Sequence, residues 1–294
     1  DIVNSDITVD GELLVRVAKI GDVYYETITE AVEAAKTGET VMLLADVNVD
    51  TKNCVTCGGY SSIFNVKGME LTFDLNGHTI TVDADPADFA DDKAKGNMLM
   101  GVFTIDDDGK LTIDDSSEAK NGAVKVYANG ATVYSLASAY GKDAKLTINN
   151  GSYFVDNMIG ATSLIYAQHS ECVIINGGTY NIGNVGTGAN GSPWIFNTIG
   201  QNYTGVKVVG GTFPTDINHQ FWANEVLVPE EYALKNNGDG TWTVVPAVAY
   251  TNEKATSRNA SWRHVGYASL EDAIAATGKY NCQDNTVTMI KDIA

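Results

Sequence analysis

Carboxylates, lysines and aromatic rings are the residues of this chain best equipped to do chemistry. Asp83, Asp85, Asp88, Asp91 and Asp92 crowd one stretch, and Asp106-Asp107-Asp108 another. Oxygen donors of this kind suit a hard divalent cation, so Asp83, Asp85, Asp106 and Asp108 are the candidate calcium ligands. No other cofactor is expected. Asp114-Asp115 is an adjacent acidic pair. Inverting hydrolysis needs two carboxyl groups across a water-sized gap, whereas neighbours on a strand point to opposite faces. Removing a proton beside a carboxylate needs a base, commonly cationic. The three arginines are Arg16, Arg258 and Arg263, with none between residues 17 and 257, which leaves Lys110 or Lys145. Tyr127, Tyr134, Tyr140, Tyr166, Trp194, Tyr203 and Trp222 are candidates to present rings to sugars or proteins.

The remaining reactive types argue against catalysis. Cys54 and Cys57 form a single CVTC, half the ligand set of a structural zinc site, while Cys172 and Cys282 stand alone. His78 sits in an NGHT turn and reads as structural. His169, three before Cys172, makes at best a metal half-site. No nucleophile elbow, P-loop or dinucleotide fingerprint is present. The net charge of −18 opposes a phosphate backbone and excludes nucleic acid as an expected partner. No apolar run approaches the ~18 residues of a membrane span. The chain opens at Asp1 with neither Met nor an apolar leader, as a mature or trimmed form would.

These residues must be positioned by a repeating architecture. YETITEAVEAAKTGETVMLLADV (Tyr25 to Val47) returns as YASLEDAIAATGKYNCQDNTVTMIKDI (Tyr267 to Ile293), the second copy carrying four extra residues around Cys282. Thr27 with Glu30 is a capping-box pair, repeated by Ser269 with Asp272. Ile28, Val32 and Ala35 share one helix face, as Leu270, Ile274 and Ala275 do in the second copy. Gly38 and Gly278 are expected to end the two helices, and strands are expected at Thr40 to Ala45 and Thr286 to Lys291.

Between the copies the grammar is short strands. LTFDLNGHTITV alternates Leu71, Phe73 and Leu75 inward, turns at Asn76-Gly77 and resumes at Ile80 and Val82. The pattern recurs from Lys110, Lys145, Cys172 and Val206, placing Leu111, Leu146, Val173 and Val206 in one column. Gly151, Gly178 and Gly211 form a second column, each followed by Ser or Thr and then Tyr153, Tyr180 or Phe213. Another apolar strand lies between these each time, near Gly101, Thr132, Ser163 and Trp194. A unit of this size buries its apolar residues only by stacking on copies of itself. The fold class expected is therefore all-β, a right-handed parallel β-helix with an N-terminal capping helix. A β-sandwich is the rival, but it does not predict the glycine–aromatic column. The organisation is an N-terminal strand and linker at 1–19, a β-helix module at 20–246, a connector at 247–265 and the start of a second module at 266–294. Long loops at 83–97 and 183–192 are expected to emerge on one edge.

The helix-and-strand opening ETITEAVEAAKTGETVMLLADV, LTFDLNGHTITV, the GGTY and GGTF coils and the NGDGTWTV closure together resemble a family of repeat-bearing, adhesin-like cell-surface proteins of Gram-positive bacteria. The resemblance covers about residues 20–245, and the opening again at 266–293. It implies a pectin-lyase-like β-helix exported to the cell surface, mostly without assigned activity, and it transfers no catalytic residue. Such β-helices also host polysaccharide lyases and hydrolases, but the histidine motifs of polygalacturonases are absent here. The function expected is a non-catalytic extracellular binding module in a tandem array, taking glycan or protein through its edge loops. A ligand-free stalk, fibre or virion-spike subunit is the alternative, and a polysaccharide lyase or hydrolase a further one. Neighbouring copies of the module are the expected partners, and membrane insertion is not expected.

Overall fold

The computed structural model describes residues 8–9, 12–13, 16–57, 60–89, 98–156, 163–183, 194–198, 204–219, 226–254 and 261–290. Strands hold 53% of the described residues and helices 9%, so the class is all-β, and among the described residues no sheet closes into a barrel. A small antiparallel pair, Thr8–Val9 with Glu12–Leu13, stands apart from three large sheets. The first sheet runs from Ala18–Ile20 and Glu39–Leu43 through Glu70–Asp74, Lys110–Asp114, Lys145–Ile148, Val173–Ile175 and Val206–Val208. The second runs through Val47–Asp50, Thr79–Asp83, Ala123–Tyr127, Ser152–Asp156, Thr179–Ile182 and Thr212–Phe213, then on into the C-terminal strands. The third holds Tyr60–Lys67, Met98–Asp106, Ala137–Ala139, Ser163–Ala167 and Trp194–Thr198.

The chain visits first, second and third sheet in turn and then begins again. Parallel strands cannot be joined by a tight hairpin and need a crossover. Here the crossover is the passage through the other two sheets. Pairing along the body is parallel in all three, which is compatible with a solenoid and unlike the antiparallel sheets of a sandwich.

Like residues then stack in register. Leu71 pairs with Leu111, Leu111 with Leu146, Leu146 with Val173 and Val173 with Val206, all of them buried. The glycine–aromatic column is internal as well. The Tyr153 and Tyr180 rings stack at 5.3 Å, and Tyr180 and Phe213 at 4.9 Å. Gly151, Gly178 and Gly211 each hold φ near +100°, and a Cβ on Gly178 would lie 3.1 Å from the Gly151 carbonyl oxygen. Only glycine fits there without strain. Asn76 and Gly77, both at positive φ, make a corner between the first and second sheets rather than a hairpin.

Two elements open the repeats. Helix α1 (Ile28–Ala34) has the full capping box: the Glu30 amide donates to Thr27 Oγ1 and the Thr27 amide to Glu30 Oε2. It ends at an extended Ala35, so Gly38 is not its cap; Gly38 turns at φ +86° and donates its amide to the Glu70 carbonyl. Helix α2 (Leu270–Lys279) is capped by Ser269 and contains Gly278 instead of stopping there. Its buried residues are Ala273 and Ala276, while Ile274 and Ala275 face out, a correction to the face read from the sequence. The presumed connector is itself structured. Ala249–Lys254 and Trp262–Tyr267 form an antiparallel hairpin, as Ala18–Ile20 and Val23–Tyr25 do before α1. Ala18 pairs with Tyr25 and Leu43, and Ala249 with Tyr267 and Met289. Both openings therefore share one topology and one register, and the second starts near residue 249.

The second opening docks on the first module, as its apolar residues require. Tyr232–Asn236 and Trp242–Pro246 form the closing hairpin across the Asn237-to-Gly240 turn. Ala233 pairs in parallel with Gly266 across the junction.

Candidate ligand-binding face

The third sheet brings three of the seven ring candidates together. Phe64, Val66, Phe103, Ile105, Ala137, Ala139 and Ile165 enter the core; the residues between them point to the other face, which is itself buried at Thr104, Ser138, Tyr166 and Asn197. Asn65, Thr104, Ser138, Tyr166 and Asn197 fall in a single register row across five strands. Asp106 lies one step along from Thr104 on that face, in register with Lys67.

Four tyrosines edge this row. The Tyr134 and Tyr166 rings meet edge-on at 5.0 Å, and those of Tyr60 and Tyr140 at 6.1 Å. Asn197 donates its amide to the Tyr134 hydroxyl at 3.4 Å, and the Tyr166 hydroxyl donates to the side-chain oxygen of Gln168. Burial raises the pKa of Tyr134, and that of Tyr140 with help from the nearby Tyr60, Cys57 and Asp106. These phenols therefore stay neutral and can donate or accept. Two buried oxygens of the row, Asn65 Oδ1 and Ser138 Oγ, have no hydrogen-bond partner among the described residues; Ser163 Oγ and Thr198 Oγ1 lack one too but fall in register with the core-facing positions. Buried polar groups are paired in the great majority of cases. The rings and the polar side chains beside them have the chemistry to hold a polyhydroxylated ligand: apolar sugar faces lie on rings, and sugar hydroxyls pair with hydroxyl and amide groups.

Tyr134, Tyr140 and Tyr166 are thus the sequence candidates that converge. Tyr127 lies on the second sheet against Phe154, at 5.9 Å, away from this row. Trp194 opens the last strand of the third sheet, in register with Ser163. Tyr203 and Trp222 lie outside the described residues, as do most of the two long loops, which leave the second sheet after Thr79–Asp83 and Thr179–Ile182. Tyr60 and Asn197 were missed by sequence reasoning. The register row was the signal, since Asn197 occupies on its strand the place that Tyr166 has on the strand before.

The calcium set does not assemble. Asp83 and Asp85 follow a second-sheet strand, and Asp85 accepts the Ala87 amide. Asp106 and Asp108 flank the turn out of the third sheet, where Asp106 and Asp107 face Lys67 at 3.7 and 3.0 Å. Among the described residues no three His, Cys, Asp or Glu side chains converge as a metal site would need.

The residues weighed for catalysis are engaged in holding corners and strands. Asp115 is buried and accepts the amides of Gly77, Ser117 and Gly122 at 2.8, 3.1 and 2.6 Å. Asp114 accepts from Asn149 and Asn150. Burial pulls both pKa values up, but these donors outweigh it and hold both carboxyls below the ordinary aspartate value. Lys110 and Lys145 border a shallow groove of about 460 Å³ on the first sheet, floored by Thr72, Thr112 and Thr147. Lys110 is bonded to Glu70, which raises its pKa and makes it a poor base; Lys145 donates to the Glu171 carbonyl at 2.8 Å. No disulfide joins the four cysteines, and burial, then the Asp106 carboxylate, push the Cys57 thiol up to about 12. It is not a nucleophile near neutral pH. His78 holds to Asp46 at 3.3 Å within the corner. Among the described residues no helix is long and apolar enough to cross a membrane.

Compared with known proteins, the chain matches no protein-family model, no curated protein and no solved structure.

Proposed function

We propose that this chain is a right-handed parallel β-helix module of an extracellular, adhesin-like surface protein built as a tandem array, and that it binds glycan without cleaving it. The observation that carries the binding reading is the face of the third sheet turned away from the core. There Tyr60, Tyr134 and Tyr140 accompany a row of side chains that includes Tyr166, and two of its buried oxygens, Asn65 Oδ1 and Ser138 Oγ, lack partners among the described residues. The lyase and hydrolase alternatives lose support because Asp114, Asp115 and Lys110 are all committed to other bonds. The cyclic order of the three sheets supports the β-helix reading, and the second opening, folded like the first, supports the array.

Titration of the chain with soluble polysaccharides, neutral and uronate-containing, tests this reading. Tyrosine fluorescence and amide shifts on the third sheet are expected to saturate with at least one of them. Tyr134→Ala and Tyr166→Ala should weaken that binding by about tenfold each, the size of a lost ring contact of ~1.4 kcal/mol. The same mixtures, with calcium added, should yield neither unsaturated nor reducing ends. New chain ends would return the protein to the enzymes. A spacer role has its own support in the long uninterrupted ladders, and it gains if no polysaccharide moves a third-sheet signal.

A further inference from the structure

The two openings are the same element in two surroundings, and the difference between them identifies a vacant seat. In the first, Glu39–Leu43 is paired on both sides: with Ala18–Ile20 on one edge, and in parallel with Glu70–Asp74 on the other, Glu39 opposite Leu71 and Val41 opposite Phe73. Val41 and Leu43 are fully buried there, and Val32 of α1 packs on the core. In the second opening the equivalent strand, Cys282–Met289, pairs with Ala249–Lys254 and is the last strand of its sheet. The equivalents of those core residues are uncovered: Ile274, in the place of Val32, is 56% exposed, and Met289, in the place of Leu43, is 41% exposed. Val287, in the place of Val41, is half-buried.

The opposite side of the opening shows the reverse. Val265 is 2% exposed because the second opening is docked on the first module, whereas its equivalent in the first opening, Val23, is 57% exposed. Each opening is thus covered on the side where a module adjoins it and bare on the other. An edge strand with free amides and carbonyls next to exposed Ile and Met is a template for a further strand.

We infer that the free edge of Cys282–Met289, with Ile274 and Met289 beside it, seats the first coil of a second module of this kind. The strand laid there runs parallel to it and has the alternation of Leu71, Phe73 and Leu75. Its Phe73-like residue lies opposite Val287, and its coil covers Met289 and Ile274. The sheet that joins the second opening to the first module has this strand at its edge among the described residues, so the seat extends an interface the molecule already has. This inference rests on the array reading and adds the site, register and side chains of the joint.

The test is a two-module protein in which the full chain to Ala294 runs on into a second copy of residues 49–246, compared with the chain alone. Amide hydrogen exchange at 285–289 should slow by about tenfold or more in the longer protein. Val287→Asp should lower the melting of the added module while leaving the single chain nearly unchanged. If the added module folds but 285–289 exchange as before, or Val287→Asp acts alike in both proteins, the seat is wrong and the array reading survives. If the added module does not fold, both fall. Concentration-dependent pairing of the single chain that protects 285–289 would assign the edge to a second copy's edge instead, and would also overturn the inference.

Discussion

Asp115 illustrates how much of this fold is held by single side chains at its corners. One carboxylate collects the amides of Gly77, Ser117 and Gly122 and so ties the corner after Leu75 to the next coil. Asp115→Asn would turn an amide toward one of those N–H donors, and two donors cannot bond. The expected cost is about 2–4 kcal/mol, read from urea unfolding. The pH dependence has a definite sign. The folded pKa lies below 3.8, so this stabilisation is complete above that value and is lost as pH falls through the lower folded value. Asp115→Asn should flatten that acid limb. The tyrosine stack makes a milder case: Tyr180→Phe keeps the ring against Tyr153 and Phe213 but loses the bond to the Gly177 carbonyl at 2.9 Å, an expected loss of about 1 kcal/mol in the same measurement. Residue roles were only partly legible in the sequence. Asp114-Asp115 reads as an acidic pair, and nothing local announces that Gly77, Asn149 and Asn150, tens of residues away in neighbouring coils, are among their partners.

At the scale of elements, the ladders were the most legible feature. Columns of Leu, Val and aromatic residues repeat because each coil meets the same neighbours, so stacking was written into the alternation itself. Val173→Asp should place an uncompensated charge between Leu146 and Val206, cost several kcal/mol and prevent folding, as circular dichroism would report. The ends of elements were harder to read. Gly38 and Gly278 each follow a threonine near the end of the helix pattern, yet one turns toward Glu70 and the other lies inside α2, the longer of the two helices. The junction was not legible at all. His219 lies between Asp216 and Glu253, at 2.7 and 2.9 Å, and stacks on Tyr280 at 3.7 Å, so one ring joins the first module to the second opening. Burial pushes its pKa down, but the two carboxylates more than reverse this and hold it above 6.5. Burial likewise works against the Glu253 anion, and bonds from His219, Thr251 and Tyr267 hold that pKa below 4.5. Arg263 and the Tyr267 hydroxyl also face this pair, and Lys279 lies beside Tyr280. The His219 contribution is present below pH 6.5 and lost as pH rises through its raised value; the Glu253 contribution is lost as pH falls through its lowered one. Protection factors across α2 and Cys282–Met289 should therefore drop on the alkaline side while the ladders hold. His219→Gln should remove that alkaline step.

The whole molecule behaves as a row of parts, each stabilised by the next. Removing residues 247–294 should uncover the edge of Tyr232–Asn236 with Leu234, lower the melting temperature and promote self-association in sedimentation, since nothing would cover that edge. A truncated protein that melts and sediments like the full chain would mean that the second opening contributes nothing to its neighbour. The general plan of the molecule was legible because repetition is visible in one dimension, whereas the candidate face on the third sheet depends on which strands become neighbours in three. The junction glycine has a further consequence. A Cβ at Gly266 would lie 2.1 Å from the Tyr232 carbonyl oxygen, so only glycine allows the two backbones to meet there. The first opening carries Tyr24 at the equivalent position. One residue thus acts as punctuation: glycine at this position permits the close approach of backbones seen at this joint, which a side chain there would block.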